Sequence, residues 1–289
     1  MGYRCFDVNV DEKVAHIVLS RPEKRNSMIP EFWDELPEIV QDIDDNSRAR
    51  AIVVSSTGPH FSSGLDVKAF ATGGGSANQD PDAQRRARRT RAAGFYDDVR
   101  HMQRAFSCLE SCRMPVLVAI QGGCIGGGVD LVTACDIRYA TEDAFLTIFE
   151  VNIGMTADVG TFPRLVKLVP EGVVRELAYT GRRMPASEAQ AIGLVNRVYP
   201  DAETMLVEVT AIAREIASKA PLAVYGCKRM INYARDHSTP DGLDYIGIWN
   251  ASMLQPDEIA EAIAANAEKR PGDFVDLPKV KRRSSGDLF

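Results

Sequence analysis

The sequence predicts an α/β fold built around a largely parallel sheet. Three observations carry this. Short apolar, strand-like runs alternate with segments of helical spacing from residue 6 to about residue 161. Glycine clusters at 122–123 and 126–128 stand where a buried run gives way to a helix. From Phe162 onward apolar residues recur almost entirely at helical spacing. Strand and helix in alternation favour parallel pairing, because parallel neighbours need a crossover between them.

In chain order, Phe6 to Ser20 reads as a hairpin: FDVNV, a turn at Asp11-Glu12-Lys13, then VAHIVLS. Arg21 to Met28 is a loop. Pro30 to Asp45 places Phe32, Leu36, Ile39, Val40 and Ile43 on one helical face, with Pro37 as a potential kink. Ala51–Ser55 is a buried strand. Gly73 to Pro81 is Gly-, Ser- and Asn-rich and reads as an exposed loop. After it comes an arginine run at Arg85, Arg86, Arg88, Arg89 and Arg91, and then a helix from Arg100 to Cys112. Strands follow at 116–120, 136–140, 144–147 and 194–199. Helical periodicity fills 202–218, 221–236 and 240–267. The organisation expected is a core over residues 1–200, a helical region over 201–270 and a polar tail over 271–289.

At 289 residues the chain can bury a substantial core. Its net charge of −6 argues against general nucleic-acid binding. Six cysteines form no C-x-x-C pair and have no neighbouring histidines, so they read as reduced thiols and no metal site is expected. The first residues, MGYRCFDVNV, carry no secretory or transit pattern, and no run is long enough to span a membrane, so the expected compartment is the cytoplasm. Dinucleotide fingerprints, phosphate loops and G-x-S-x-G elbows are missing. None of the four histidines sits beside a nucleophile at a recognisable spacing.

What remains is glycine beside carboxylates. The run Val116–Ile120 ends in Gln121-Gly122-Gly123, and Gly126-Gly127-Gly128 leads into Val129-Asp130. A helix beginning there leaves unpaired N–H groups that can hold a developing oxyanion. Asp130, Glu150 and Asp158 follow within one short stretch. Each also has a structural reading. Asp130 suits the first turn of a helix, and Asp158 suits an N-cap. Glu150 is either solvated at a strand end or held in an apolar pocket that raises its pKa. Together, the elements fit proton transfer next to a carbonyl.

Phe61-Ser62-Ser63-Gly64-Leu65-Asp66, paired with Gly122-Gly123-Cys124-Ile125-Gly126-Gly127-Gly128-Val129-Asp130, resembles the enoyl-CoA hydratase/isomerase (crotonase) superfamily. The resemblance runs from the Arg21–Asn26 loop to about Lys269. Within the superfamily the chain is most similar to the dienoyl-CoA isomerase branch. That narrower likeness rests on Asp130, on Glu150-Val151 with Ala157-Asp158-Val159-Gly160-Thr161, and on Leu243-Asp244-Tyr245 with Trp249 to Gln255. Asn152 departs from the Asp usual in the family.

The resemblance implies a crotonase (ClpP/crotonase-like) fold, a spiral core of repeated ββα turns followed by a helical trimerisation region. It implies a homo-oligomer, a trimer or a dimer of trimers. The substrate would be an acyl-CoA, with coenzyme A part of the substrate and no separate cofactor. The backbone N–H groups of Leu65 and Gly127 would hold the thioester oxygen. Ser62, Ser63, Gly64, Leu65, Asp66, Gly127 and Lys24 would line the substrate, and Lys68 and the arginine run could meet its phosphates. Glu150 and Asp158 would move protons at C2 and C6 of a 3,5-dienoyl chain, in either assignment, with Asp130 assisting. Two competing readings are a 2-enoyl-CoA hydratase using Asp130 and Glu150, and a non-catalytic acyl-CoA-binding protein of the same fold.

Overall fold

The computed structural model describes residues 2–70 and 81–280. The expected loop at 73–80 and the basic residues Lys281, Arg282 and Arg283 lie outside the described residues.

The elements run β1 (Phe6–Asp11), β2 (Val14–Leu19), α1 (Pro30–Asp45), β3 (Ala51–Ser56), α2 (Val67–Phe70), α3 (Pro81–Ser111), β4 (Val116–Ile120), β5 (Gly123–Ile125) and α4 (Gly127–Ala134). Then come β6 (Ile137–Thr141), β7 (Phe145–Thr147), α5 (Thr161–Leu165), α6 (Glu171–Thr180), β8 (Met184–Pro185), α7 (Ala186–Ala191) and β9 (Arg197–Tyr199). Four helices close the order: α8 (Ala202–Ala217), α9 (Pro221–Ala234), α10 (Thr239–Met253) and α11 (Pro256–Glu268). Six strands form the main sheet in the order β1-β2-β3-β4-β6-β9. The β1–β2 hairpin is antiparallel and every later pair is parallel. A small second sheet, β5-β7-β8, branches off beyond the end of β4.

Alternation along the strands explains the layers. Ile52 and Val54 of β3 face the large core with Phe32, Leu36, Phe106 and Leu109 of α1 and α3. Ala51 and Val53 face the opposite way, against Met205, Val209 and Ala213 of α8. A strand buried on both faces reads as one continuous apolar run, as in AIVV and VLVAI. Pro37 does not end α1, because Phe32, Trp33, Leu36, Ile39, Val40 and Ile43 stay buried across it.

Two differences from the sequence reading concern boundaries. The helix expected from Arg100 begins at Pro81, so the arginine run rides on the same helix. Apolar periodicity is absent over that first half because it packs on little: Arg85, Arg86, Arg89, Arg91, Phe95 and Tyr96 are exposed. The division at 201 falls ahead of α8, which covers one face of the main sheet and belongs to its packing. Residues 271–280 run back along the body. Asp276 pairs with Lys13 and Arg50 at 2.6 and 2.7 Å, and Val280 N–H donates to Asp45 O at 2.8 Å.

Candidate active site

Two loops meet at the end of β4. Phe61 N–H donates to Gln121 O at 2.8 Å, Ser62 N–H to Gly123 O at 3.1 Å, and Ile125 N–H to Ser62 O at 3.0 Å. A third segment locks them: Ser63 N–H donates to Arg25 O, Met28 N–H to Gly64 O and Asp66 N–H to Met28 O, all at 2.8–2.9 Å. Asp66 N–H is thereby taken, and Gly64 N–H on the other side of Leu65 donates to Ser62 Oγ at 3.1 Å. The Leu65 and Gly127 N–H groups make no hydrogen bond among the described residues. Gly127 opens α4, so its amide is one of the unpaired donors at a helix start.

Glycine is required where these loops touch. Gly64 has φ +78°, and a Cβ there would fall 2.7 Å from Ile125 O. Gly126 has φ +53°, and a Cβ there would meet Glu150 Oε1 at 3.0 Å. The Glu150 carboxylate therefore lies against the backbone just before Gly127.

The three carboxylates share one electrostatic neighbourhood. Asp130 is fully buried in the first turn of α4. Its Oδ1 accepts from Thr161 N–H at 2.5 Å and its Oδ2 has no partner. Burial, opposed by hydrogen bonding from Thr161 and reinforced by Glu150 and Asp158, pushes its carboxyl up to about 7. Glu150 opens a 3-10 turn, Glu150–Ile153, after β7 has already ended at Thr147. Its pKa is raised by burial and then by Asp158, and its Oε2 is buried without a partner. Asp158 is half-buried and is also raised by burial. Asp158 is not an N-cap: α5 begins behind Gly160, and the carboxylate at its first amide is that of Asp130.

The other residues expected at the site divide. Ser63, Leu65 and Asp66 are partly exposed, and Ser27 Oγ donates to Asp66 Oδ2 at 3.1 Å. Ser62 is fully buried, donating to Asn26 O at 2.9 Å and accepting from Gly64 N–H at 3.1 Å. It builds the loop and presents no polar group to a ligand. Lys24 is exposed at the end of the 3-10 turn Pro22–Lys24, on the segment that grips residue 63.

Sequence reasoning missed the residues that hold these loops. Asn26 sits buried with φ +52°. Its Nδ2 donates to Thr57 O and His60 O at 2.9 and 3.0 Å, and its Oδ1 accepts from Arg21 N–H at 2.9 Å. His60 Nδ1 accepts from Gly123 N–H at 3.0 Å. A buried polar residue in a loop between a strand and a proline-led helix is the signal that could have flagged Asn26.

A family model described as enoyl-CoA hydratase/isomerase matches residues 9–277. The chain belongs to this family. It is 44% identical over 282 residues to the mitochondrial Delta(3,5)-Delta(2,4)-dienoyl-CoA isomerase of Rattus norvegicus, covering 96% of this chain and 84% of the relative. To the peroxisomal protein of the same name from Arabidopsis thaliana it is 39% identical over 279 residues, covering 96% and 99%. The crystal structure of enoyl-CoA hydratase from Bacillus anthracis superposes with a TM-score of 0.81 at 28% identity, over 94% of this chain and 99% of that one. The crotonase fold and membership of this enzyme family are thus shown together. The relatives' names place them in mitochondria and peroxisomes, which lends no support to the expected cytoplasmic location. No helix among the described residues is long and apolar enough to cross a membrane.

Proposed function

We propose that this enzyme converts 3,5-dienoyl-CoA to 2,4-dienoyl-CoA, a step in the oxidation of unsaturated fatty acyl chains. The observation that carries this reading is the third carboxylate. Asp158 raises the pKa of Glu150, both carboxylates raise that of Asp130, and Asp130 lies buried behind them. Coupled carboxylates favour a state in which one is ionised and another protonated, as a paired base and acid require.

The chemistry follows from delocalisation. An ionised carboxylate removes a proton at C2. The charge spreads through the two double bonds and onto the thioester oxygen, where hydrogen bonds from the N–H groups of Leu65 and Gly127 stabilise it. A protonated carboxylate then delivers hydrogen to C6, and the double bonds come into conjugation with the thioester. Glu150 and Asp158 fill these roles in one order or the other. Asp130 holds the loop that carries Asp158 and keeps a buried protonatable group behind both.

The acyl-CoA also needs a partner for its phosphates, and Lys24, Lys68 and the exposed arginines of α3 would supply the cations. A homo-oligomer, trimer or dimer of trimers, is part of the same proposal. Its support is α10, in which no residue is buried although Leu243, Ile246 and Ile248 are apolar.

The test is optical. Purified protein mixed with a 3,5-dienoyl-CoA is expected to produce the absorbance of a thioester-conjugated diene. An unchanged spectrum, or hydration of 2-enoyl-CoA as the sole activity, would reject the reading. Light scattering at several concentrations checks the assembly.

A further inference from the structure

A cleft of about 330 Å3 borders Asp158, and its walls set ion pairs beside apolar residues such as Ala157, Val159 and Pro163. It lies between α3, the 157–160 segment, α5 and the end of α9. Gln103 Nε2 donates to Asp158 O at 2.7 Å, so the cleft shares a wall with a proposed catalytic carboxylate. Beyond that wall Arg164, Arg235 and Lys167 face Glu110 and Asp236, and Asp158 itself lines the cleft. Arg164 pairs with Glu110 at 3.1 Å and donates to Ser107 Oγ at 3.0 Å. Arg235 takes the other oxygen of Glu110, and Lys167 pairs with Asp236.

Pockets of this size are usually apolar with a few polar groups for orientation. A methyl-ended chain here would strip water from these ions and return no hydrogen bond. An anionic group would accept charge-assisted hydrogen bonds from Lys167 and Arg235. Arg164 is nearly buried and fixed by Glu110 and Ser107. Lys167 and Asp236 form an exposed pair, which is weak, so Nζ can exchange Asp236 for a ligand oxygen at small cost.

We propose that this cleft receives the far end of the acyl chain and selects dienoyl thioesters that end in an anionic group, a carboxylate being the simplest. The inference rests on the isomerase reading above. A chain whose thioester sits at Leu65 and Gly127, and whose C6 reaches Asp158, continues past Asp158, where the cleft opens. Lys167 and Arg235 are then the residues that distinguish an anionic end from a methyl end.

Two 3,5-dienoyl-CoA substrates of equal length, one methyl-ended and one carboxylate-ended, decide the matter by their kcat/KM ratio. The ratio compares two substrates on one protein, so partial misfolding of a variant cancels. The carboxylate-ended substrate is expected to be preferred by about tenfold, the scale of one charge-assisted hydrogen bond in a partly solvated site. Lys167→Ala and Arg235→Ala should each reduce the ratio several-fold, and Lys167→Arg should keep it. A ratio at or below one in the native enzyme, or a preference that survives both alanine variants, overturns the proposal while leaving the isomerase reading intact. Turnover of neither substrate overturns both.

Discussion

Asp130 Oδ1 accepts a 2.5 Å hydrogen bond from the Thr161 amide, tying the first turn of α4 to the first residue of α5. Asp158 lies three residues before Thr161, so the same bond anchors the loop that presents it. Removing the acceptor orphans a buried N–H. Asp130→Ala should therefore cost about 1–3 kcal/mol, while Asp130→Asn, which keeps an acceptor oxygen, should cost less. Denaturant unfolding of the two variants checks this. Equal losses in both would refute the role of the bond.

The same carboxyl makes stability depend on pH. Burial raises it to about 7, whereas an unfolded Asp releases its proton near 4. The folded chain thus holds a proton that the unfolded chain has lost across that window. Stability is fully present below about pH 4 and falls as pH rises toward 7. The full effect of such a shift is about 4 kcal/mol. Glu150 is raised as well and acts in the same direction. Thermal melts from pH 4.5 to 7.5 should show a downward slope, and Asp130→Asn should make it shallower. An identical slope in the variant would exclude Asp130 as its source.

Gly64 combines φ +78° with a backbone oxygen 2.7 Å from the place a Cβ would take. Gly64→Ala must push residues 64–65 away from β5, and the Leu65 amide moves with them. Losing one oxyanion donor costs about 10²–10³ in kcat. A hundredfold drop in isomerisation with a smaller change in KM is expected from steady-state kinetics. A variant with native kcat would show that the Leu65 amide does not hold the thioester oxygen.

The fold was legible because its signals are local. VLVAI and AIVV announce buried parallel strands, and the glycine clusters mark the turn into α4. The three carboxylates could be named, yet their partners could not. The bond from Thr161 to Asp130 spans 31 residues and depends on how α5 docks against α4. Asp158 accordingly looked like a cap when Asp130 fills that place. The loop-holding roles of Asn26 and His60 were hidden for the same reason, since their partners come from other segments. The first half of α3 escaped because apolar spacing marks a packed face, and this stretch exposes most of its sides.

Asp158 separates the isomerase from a two-carboxylate hydratase. Asp158→Asn keeps the volume and the backbone carbonyl that Gln103 holds, and removes only the titrating group. Acid–base catalysis by one positioned side chain contributes about 10²–10⁴-fold. Dienoyl isomerisation should fall by that order. Glu150→Gln should cause a similar loss, and the double variant should lose little more than the worse single one, because the two act as a unit. Undiminished isomerisation by the Asp158 variant would show that the third carboxylate is not part of the reaction.

The support for α9 comes from one buried cation. Lys228 is 6% exposed, pairs with Asp136 at 2.9 Å and donates to Leu109 O and Met114 O at 2.8 Å each. These acceptors belong to the end of α3 and the approaches to β4 and β6, so one ammonium joins three elements to α9. Lys228→Met keeps the stem but removes the donor to Leu109 O and Met114 O and the cation paired with Asp136, which retains only the Val116 amide among the described residues. Breaking a buried pair from one side costs about 3–5 kcal/mol. Because Arg235 immediately follows α9, hydrogen exchange should quicken in that helix and the preference of the cleft for an anionic chain end should weaken together. Faster exchange in α9 with an unchanged substrate preference would place the two effects in separate parts of the molecule.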